Sequence, residues 1–359
     1  MRIALVSTIR PTSGTGIGIT EYTYQLAEHI KAIDKSIKID NIYAISKPKR
    51  NNVSGLLYTN TIFRLKVKEL ARKNYDILHI TDHEIGFVAK ILKKAGSNAK
   101  IITTIHDLSR FEKGLHKGIT QCIYNKLVQG NIKDAINYSD YLLCNSSQTY
   151  ETVKVRFDKK ANMRVIPNGI NDSIINTDIP IKHKDKIFTV GYIGALMKHK
   201  NVIFILQAAK WLDTAEFNFL IYGTGVDMPM LKKFKEVNSL SNVCIKGYLK
   251  EKYKVKVYDS FSVFAFPSLY EGFGFPILEA QARGLPVIIY KYGKIPKEVR
   301  RYCFEAESPE HMAQIIENLK ENGYNEKERK KAIEYARSFT WERTAKKTLN
   351  VYKDELSRY

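Results

Sequence analysis

The chain has 359 residues, of which 44% are hydrophobic and 26% are charged, and its formal net charge is +21. This length predicts two domains of ordinary size, each with its own core, and no apolar run approaches the roughly 20 residues of a membrane-spanning helix. The four cysteines lie far apart in the sequence, which excludes a zinc or redox pair formed by neighbours and favours a reducing, cytoplasmic setting.

The positive charge is heavier in the first half, where residues 1–170 carry 27 Lys and Arg against 14 Asp and Glu. Such an excess favours an anionic partner, either a membrane surface, a phosphorylated lipid or a nucleic acid. A lysine-rich composition without any such partner is the equally weighted alternative.

The chain begins with a strand, a glycine loop and a helix. Ile3 to Thr8 is predicted as a buried strand, and Gly14-Thr-Gly-Ile-Gly18 precedes an amphipathic helix. This order suits a phosphate at the start of the helix. The spacing does not fit the dinucleotide fingerprint, whose last glycine would fall on Ile19, and no Walker sequence follows. A plain tight turn is the alternative.

A basic amphipathic helix is predicted from Thr61 to Lys73, with Phe63, Val67 and Leu70 on its apolar side. A helix of this kind can lie on an anionic membrane surface. The alternative is an ordinary surface helix that covers a sheet.

His106 and Asp107 come directly after the predicted strand Ala99 to Ile105. Open parallel sheets bind ligands at the carboxyl ends of their strands. His106 is therefore a candidate site residue, whereas a histidine that only makes structural hydrogen bonds is the alternative.

The second half repeats the alternation of strands and helices after a polar segment, residues 171–186, which is predicted as an irregular linker. Its first strand ends at Gly194, and Lys200 lies before the next helix, where a lysine can reach a diphosphate. Two further strands are predicted, Phe217 to Tyr222 followed by Gly223, and Asn242 to Lys246 followed by Gly247 and Tyr248. Alternation in both halves predicts an α/β protein with two doubly wound, Rossmann-like parallel sheets and a ligand cleft between the domains.

The most informative stretch follows the predicted strand Ser262 to Phe266. Gly272 and Gly274 form a turn, Pro276 occupies the first position of a helix, and Glu271 and Glu279 flank the turn. Carboxylates suit hydroxyl donors, and the amide groups of a helix start suit phosphate. A nucleotide sugar offers both. The alternative is a helix ion pair between Glu279 and the residue four positions later, Arg283, with Glu271 as a turn residue.

The string Glu271-Gly-Phe-Gly-Phe-Pro-Ile-Leu-Glu279-Ala, followed by Gly284-Leu-Pro-Val287, closely resembles the signature of retaining glycosyltransferases of the GT-B fold, family 4. The resemblance extends over nearly the whole chain. It implies an acceptor-side domain over 1–170, the linker over 171–186, a nucleotide-sugar domain over 187–340 and a last helix, 341–359, that crosses back to the first domain.

The resemblance also implies the site residues. Glu271 would hold the sugar ring, Glu279 the ribose hydroxyls, and His106 the sugar or diphosphate. The other implied donor-binding residues are Gly16, Gly18, Lys200, Gly223, Tyr248, Gly272, Phe273 and Gly274. The family commonly has an arginine where this chain has Ala195, and Lys198 is a candidate replacement for that charge.

The implied activity is metal-independent transfer of a sugar from a nucleotide sugar, UDP- or GDP-linked, to a hydroxyl of a glycan or lipid-linked acceptor. No cofactor, metal or nucleic acid is expected, and peripheral contact with the cytoplasmic face of an anionic membrane is a hypothesis from the basic first half. The chain has no Asp-x-Asp sequence of the kind that holds a metal in the other glycosyltransferase fold. Two alternatives are a nucleotide-sugar epimerase of the same build and a basic, non-enzymatic binder of membrane or nucleic acid.

Overall fold

The computed structural model describes residues 1–10, 18–45, 62–112, 119–158, 162–180 and 187–358. The chain divides into two compact units. The first unit combines Met1–Gly169 with Trp341–Tyr359, and the second is Ile170–Thr340. Each unit contains a six-stranded sheet in which every pairing is parallel. The prediction of two Rossmann-like domains is confirmed.

The sheet of the first unit has the order β2-β1-β3-β4-β5-β6. Its strands are β1 (Arg2–Ile9), β2 (Lys38–Ile45), β3 (Ile77–Ile80), β4 (Lys100–Ile105), β5 (Tyr141–Cys144) and β6 (Met163–Val165). The helices described in this unit are α1 (Gly18–Ile33), α2 (Ile62–Leu70), α3 (Phe87–Lys94), α4 (Ile119–Tyr138), α5 (Ser147–Arg156) and the last helix of the chain, Trp341–Leu356. The central strands are continuous apolar runs because helices cover both faces of a parallel sheet.

The last helix packs on α1 and on the sheet of the first unit. The Thr344 hydroxyl donates to the Pro167 carbonyl at 2.8 Å, and the Tyr352 hydroxyl lies 2.5 Å from Nδ1 of the buried His79. The rings of Trp341 and Tyr22 meet edge to face. These contacts integrate residues from the end of the chain into the core of its first half.

The sheet of the second unit has the order β12-β11-β10-β7-β8-β9. Its strands are β7 (Phe188–Ile193), β8 (Phe217–Tyr222), β9 (Val243–Gly247), β10 (Val263–Phe266), β11 (Val287–Tyr290) and β12 (Cys303–Ala306). Its helices are α6 (Asp172–Asn176), α7 (Ile203–Ala209), α8 (Met228–Val237), α9 (Lys254–Asp259), α10 (Phe275–Ala282), α11 (Lys297–Arg300), α12 (Pro309–Asn322) and α13 (Glu326–Arg337). The last helix of the chain, Trp341–Leu356, belongs to the first unit and is α14. β10 lies near the middle of this sheet, so the loop that follows it has a strand end on either side.

The predicted irregular linker differs from the structure. Within residues 171–180 the chain forms α6, which Asn171 caps by accepting a hydrogen bond from the amide of Ser173. Ile174 is fully buried in the core of the second unit. Although the segment is polar overall, Ile174 and Ile175 pack on this core and Asn171 caps the first turn, which is enough to hold a short helix. Residues 181–186 lie outside the described residues.

Candidate functional site

The loop after β10 in the second unit is bound on both sides to the loops of neighbouring strands. The Leu269 amide donates to the His199 carbonyl at 2.7 Å, in the loop after β7. The Glu271 amide donates to the Lys294 carbonyl at 2.9 Å, in the loop after β11. These bonds fix the backbone of Glu271 at the carboxyl edge of the sheet, where ligands of open parallel sheets bind.

The glycine turn ends at Gly274, which precedes α10 with φ of +100°. A Cβ atom at this position would lie 3.3 Å from Cγ2 of Val299, so both the backbone conformation and the space favour glycine. Because α10 begins at Phe275, Pro276 is the second residue of the helix rather than the predicted first. Pro276 still costs no hydrogen bond there, since the first amides of a helix have no partner within it.

Phe273 is buried in the core of the second unit, with its ring 5.1 Å from that of Phe275 and 6.3 Å from that of Phe339. Its ring anchors the turn, so only its backbone is a candidate for donor contact. Gly272 lies beside it in the same turn.

Glu271 and Lys200 form a mostly buried ion pair. The Lys200 ammonium lies 2.6 Å from one carboxylate oxygen of Glu271 and 2.8 Å from the other. Side-chain exposure is 17% for Lys200 and 7% for Glu271. The ammonium also lies 5.4 Å from the centre of the Phe266 ring. The structure therefore brings together two residues that are 71 positions apart in the sequence.

Glu279 lies on α10 and is paired with α9. Its Oε1 accepts from the Lys254 ammonium at 2.7 Å, and its Oε2 accepts from the Tyr258 hydroxyl at 2.8 Å. The pKa of Lys254 lies above its ordinary value, because the attraction of Glu279 and Glu251 outweighs burial, which alone would lower it. Burial and the nearby carboxylate raise the pKa of Tyr258 well above its ordinary value.

The alternative pairing of Glu279 with Arg283 is wrong. The Arg283 guanidinium is buried and instead binds both carboxylate oxygens of Asp259, at 2.8 and 2.9 Å. It also donates to the carbonyls of Thr177 and Asp178, both at 2.6 Å. Arg283 therefore holds the segment after α6 against α10, and the Glu279 carboxylate is bound by α9.

Two further strand ends lie at the same edge of the sheet. Gly223 directly follows β8 with φ of +154°, and a Cβ there would lie 1.8 Å from the Gly194 carbonyl oxygen, so the loops after β7 and β8 touch through their backbones. Tyr248 follows β9 with 62% of its surface exposed. Ala195 accepts a hydrogen bond from Tyr192, and the exposed Lys198 lies near Asp227.

In the first unit, His106 follows β4 as predicted and is buried. Its Nε2 lies 2.9 Å from the Thr81 carbonyl, so the ring donates there and leaves Nδ1 as an acceptor. Burial and the neighbouring His83 lower its pKa to about 4. The edge of the Tyr22 ring packs against it at 4.7 Å. The imidazole is thus neutral near pH 7.

The neighbours of His106 have local structural roles. The Asp107 carboxylate accepts from the backbone and hydroxyl of Ser109, which stabilises the turn after β4. Asp82 caps the short helical turn that contains His83 by accepting from the Glu84 amide. Gly18 is exposed as the first residue of α1, and Gly16 lies outside the described residues.

Four polar side chains were not predicted as site residues from the sequence: the buried Tyr258, Tyr22 and His79, and the partly buried Lys254. Each binds a residue more than 20 positions away. Lys254 and Tyr258 are four residues apart on α9, a spacing that puts both on one helix face, but their carboxylate partner has no local signal.

Within the described ranges, no group of three or more His, Cys, Asp and Glu side chains is arranged to hold a metal ion. In the same part of the chain, no helix has the length and apolar content to cross a membrane.

Two family models match the chain. Residues 18–174 match Glycosyltransferase Family 4, and residues 175–339 match Glycosyl transferases group 1. With two Rossmann-like units, the protein is of the GT-B class, and it belongs to the family 4 glycosyltransferases.

Solved structures support the fold. Sucrose-phosphate synthase from Thermosynechococcus elongatus is 19% identical, with a TM-score of 0.80 over 100% of both chains. Alr3699/HepE of Anabaena, solved in complex with UDP-glucose, is 15% identical, with a TM-score of 0.70 over 100% of both chains.

One curated relative is the UDP-Gal:alpha-D-GlcNAc-diphosphoundecaprenol alpha-1,3-galactosyltransferase of Escherichia coli. It is 27% identical over 240 residues, which are 62% of this chain and 59% of that enzyme. The chain thus spans about three fifths of the length of this relative, and it spans 49% of another curated relative that it matches.

Proposed function

We propose that this protein is a retaining glycosyltransferase that moves a sugar from a nucleotide sugar to an acceptor hydroxyl without a metal ion. The observation that carries the proposal is the grouping of Glu271, Glu279 and Lys200 around the start of α10. Family membership supports the same reaction class. Neither the epimerase alternative nor the basic, non-enzymatic binder is favoured by the relatives found.

The reaction breaks the bond between the anomeric carbon and the diphosphate oxygen and forms a bond from that carbon to the acceptor oxygen. The acceptor hydroxyl passes its proton to the departing diphosphate oxygen, and the nucleoside diphosphate leaves with the electron pair of the broken bond. Lys200 and the positive end of the α10 dipole would stabilise the negative charge that develops on the diphosphate. No cofactor is needed for these steps.

The two carboxylates would hold the donor by its hydroxyl groups. Glu271 would bind the sugar ring and Glu279 the ribose, while His106 would contact the sugar or the diphosphate. Both oxygens of Glu271 already accept from Lys200, which favours an anchoring role over nucleophilic attack. Retention of configuration is then proposed to follow front-face attack by the acceptor.

A UDP-linked donor is proposed first, because the galactosyltransferase relative uses UDP-Gal and the Anabaena structure contains UDP-glucose. The same relative acts on a diphosphoundecaprenol-linked sugar, which supports a lipid-linked acceptor. We propose a GDP-linked donor as the second choice.

We also propose peripheral contact with the cytoplasmic face of an anionic membrane. Leu65 is exposed on α2 beside Lys66 and Lys68, and Ile123 and Leu127 are exposed on α4. Exposed apolar side chains with flanking lysines suit a lipid surface. Flotation with vesicles of anionic and of neutral lipid tests this contact. Binding that needs the anionic lipid and weakens in Lys66→Glu is expected, and absence of binding to anionic vesicles would contradict it.

A thermal-shift screen with UDP, GDP, ADP and their common sugar conjugates tests the donor site. A ligand that binds the native state raises the melting temperature by mass action. We expect a shift with one nucleotide that is lost in Glu279→Ala. No shift with any of these ligands would contradict the proposed function.

A further inference from the structure

Two side chains of α9 bind the proposed ribose carboxylate, and neither has a place in the reaction described above. Lys254 and Tyr258 lie on one face of α9, and each binds a different oxygen of Glu279, at 2.7 and 2.8 Å. Side-chain exposure is 4% for Glu279 and 17% for Lys254, and Tyr258 is fully buried.

This arrangement differs from an ion pair that only stabilises a core. A buried pair is on average no more stabilising than apolar side chains of the same volume. Here Lys254 also contacts Glu251 at 3.3 Å, so one ammonium lies between two carboxylates. The cluster has a net negative charge, which suits hydroxyl donors and disfavours phosphate.

The number of hydrogen bonds also fits a diol. An ionised carboxylate has about four acceptor sites, two on each oxygen. Lys254 and Tyr258 occupy one site on each oxygen of Glu279. As far as the described residues go, these two donors leave one acceptor site on each oxygen, and the two sites match two adjacent hydroxyl groups.

We propose that Lys254 and Tyr258 are positioning residues that orient Glu279 to accept from both ribose hydroxyls, and so make the site select ribonucleotides over 2′-deoxyribonucleotides. This inference rests on the proposed function. Tyr258 fixes one oxygen and Lys254 the other, so the carboxylate plane cannot rotate away from the diol.

The test combines changes in the protein with removal of the 2′-hydroxyl from the ligand, and compares the resulting affinities. The affinities of UDP, GDP and ADP, each with its 2′-deoxy counterpart, are measured by calorimetry on wild type, Tyr258→Phe and Lys254→Met. Lys254→Arg tests rescue, because it keeps the charge. Lys256→Met and Tyr253→Phe are the matched controls, because both side chains are exposed near the same helix.

Wild type is expected to bind one ribonucleotide about 10-fold more tightly than its 2′-deoxy form, as expected for one hydrogen bond to a charged group. Tyr258→Phe and Lys254→Met are expected to reduce that ratio to about 1–3, mainly by weakening the ribonucleotide. Lys254→Arg is expected to restore part of the ratio, and the controls to leave it unchanged.

Equal weakening of both ligand forms in Tyr258→Phe would assign Tyr258 a structural role and overturn the inference. A wild-type protein that binds a nucleotide without distinguishing its 2′-deoxy form would overturn it too, yet would leave the proposed donor site standing. Binding of none of the nucleotides by wild type would overturn the proposed function itself, and the inference with it. Melting curves of each variant identify any that fails to fold. If Lys254→Met fails to fold, the ratio of affinities measured in Lys254→Arg replaces it in the test.

Discussion

Replacement of Lys200 by methionine is expected to impair both stability and donor use. The substitution keeps the length of the side chain but removes the ammonium that binds both oxygens of Glu271. The charge of a mostly buried carboxylate then loses its main compensation, which is costly in a low-dielectric setting.

The size of the effect follows from burial. Breaking a buried ion pair costs about 3–5 kcal/mol. Because 17% of the Lys200 side chain remains exposed, we expect about 2–3 kcal/mol. For a unit of this size, each kcal/mol lowers the melting temperature by roughly 2–4 °C, so a fall of about 4–12 °C is expected. Loss of a charge-assisted contact to the diphosphate should lower kcat/KM by about 10- to 150-fold.

The assay compares melting temperature and kcat/KM in wild type, Lys200→Met, Glu271→Gln and the double variant. Removing both charges relieves the uncompensated carboxylate, so the double variant should be more stable than Lys200→Met. Lys291→Met is the control, because its pair with Glu307 has side-chain exposures of 44% and 48%, and such a solvent-screened surface pair should contribute far less to stability than the buried pair.

A double variant whose destabilisation equals the sum of the two single effects would contradict this prediction. A loss of stability in Lys291→Met as large as that in Lys200→Met would contradict it too. Either result would mean that Lys200 and Glu271 do not form a coupled, buried pair.

Two further predictions concern the glycine turn and the buried histidines. Gly274→Ala should lower the free energy of unfolding by about 1–2 kcal/mol or more, because alanine is strained at positive φ and its Cβ would approach Val299. Gly323→Ala is the control, because its Cβ would meet no atom within 4 Å and the substitution should cost only the backbone strain. If both variants lose the same stability in melting experiments, the contact with Val299 contributes nothing. Burial lowers the pKa of His79 to about 3 and that of His106 to about 4 in the folded protein. In the unfolded chain both histidines have a pKa near 6.5, so below pH 6.5 the unfolded chain binds more protons than the folded chain. Stability should therefore decrease by about 2 kcal/mol for each histidine between pH 8 and pH 5, and urea unfolding of His79→Gln should show a correspondingly smaller decrease; an unchanged pH dependence would refute it.

The sequence predicted the order of strands and helices well because the signals are local. β10, the glycine turn and α10 follow from a short apolar run, two glycines and a proline close together. The position of His106 follows from one strand and its end. These features need no knowledge of distant residues.

The partners of the carboxylates could not be predicted from local patterns. Arg283, four residues after Glu279 and directly after the end of α10, was the obvious partner, yet the structure pairs Glu279 with Lys254, 25 positions earlier. Arg283 binds Asp259 and backbone carbonyls after α6 instead. Only the packing of α9 against α10 decides between these pairings, and no periodicity in the sequence encodes it.

The linker was misjudged for a related reason. Residues 171–180 contain few apolar residues, so composition alone indicated irregular structure. Ile174 and the capping Asn171 hold a helix there because the core of the second unit is present to receive the isoleucine. A short helix of this kind depends on tertiary contacts more than on its own propensity.

Product analysis tests the central claim most directly. The purified protein is incubated with the nucleotide sugar found by the thermal-shift screen and with a lipid-linked acceptor extract, and nucleoside diphosphate and glycoside are quantified. We predict equal amounts of the two products, a glycosidic bond with the anomeric configuration of the donor, and loss of both products in Glu271→Ala. An isomerised nucleotide sugar without release of nucleoside diphosphate, or products that persist in Glu271→Ala, would contradict the account.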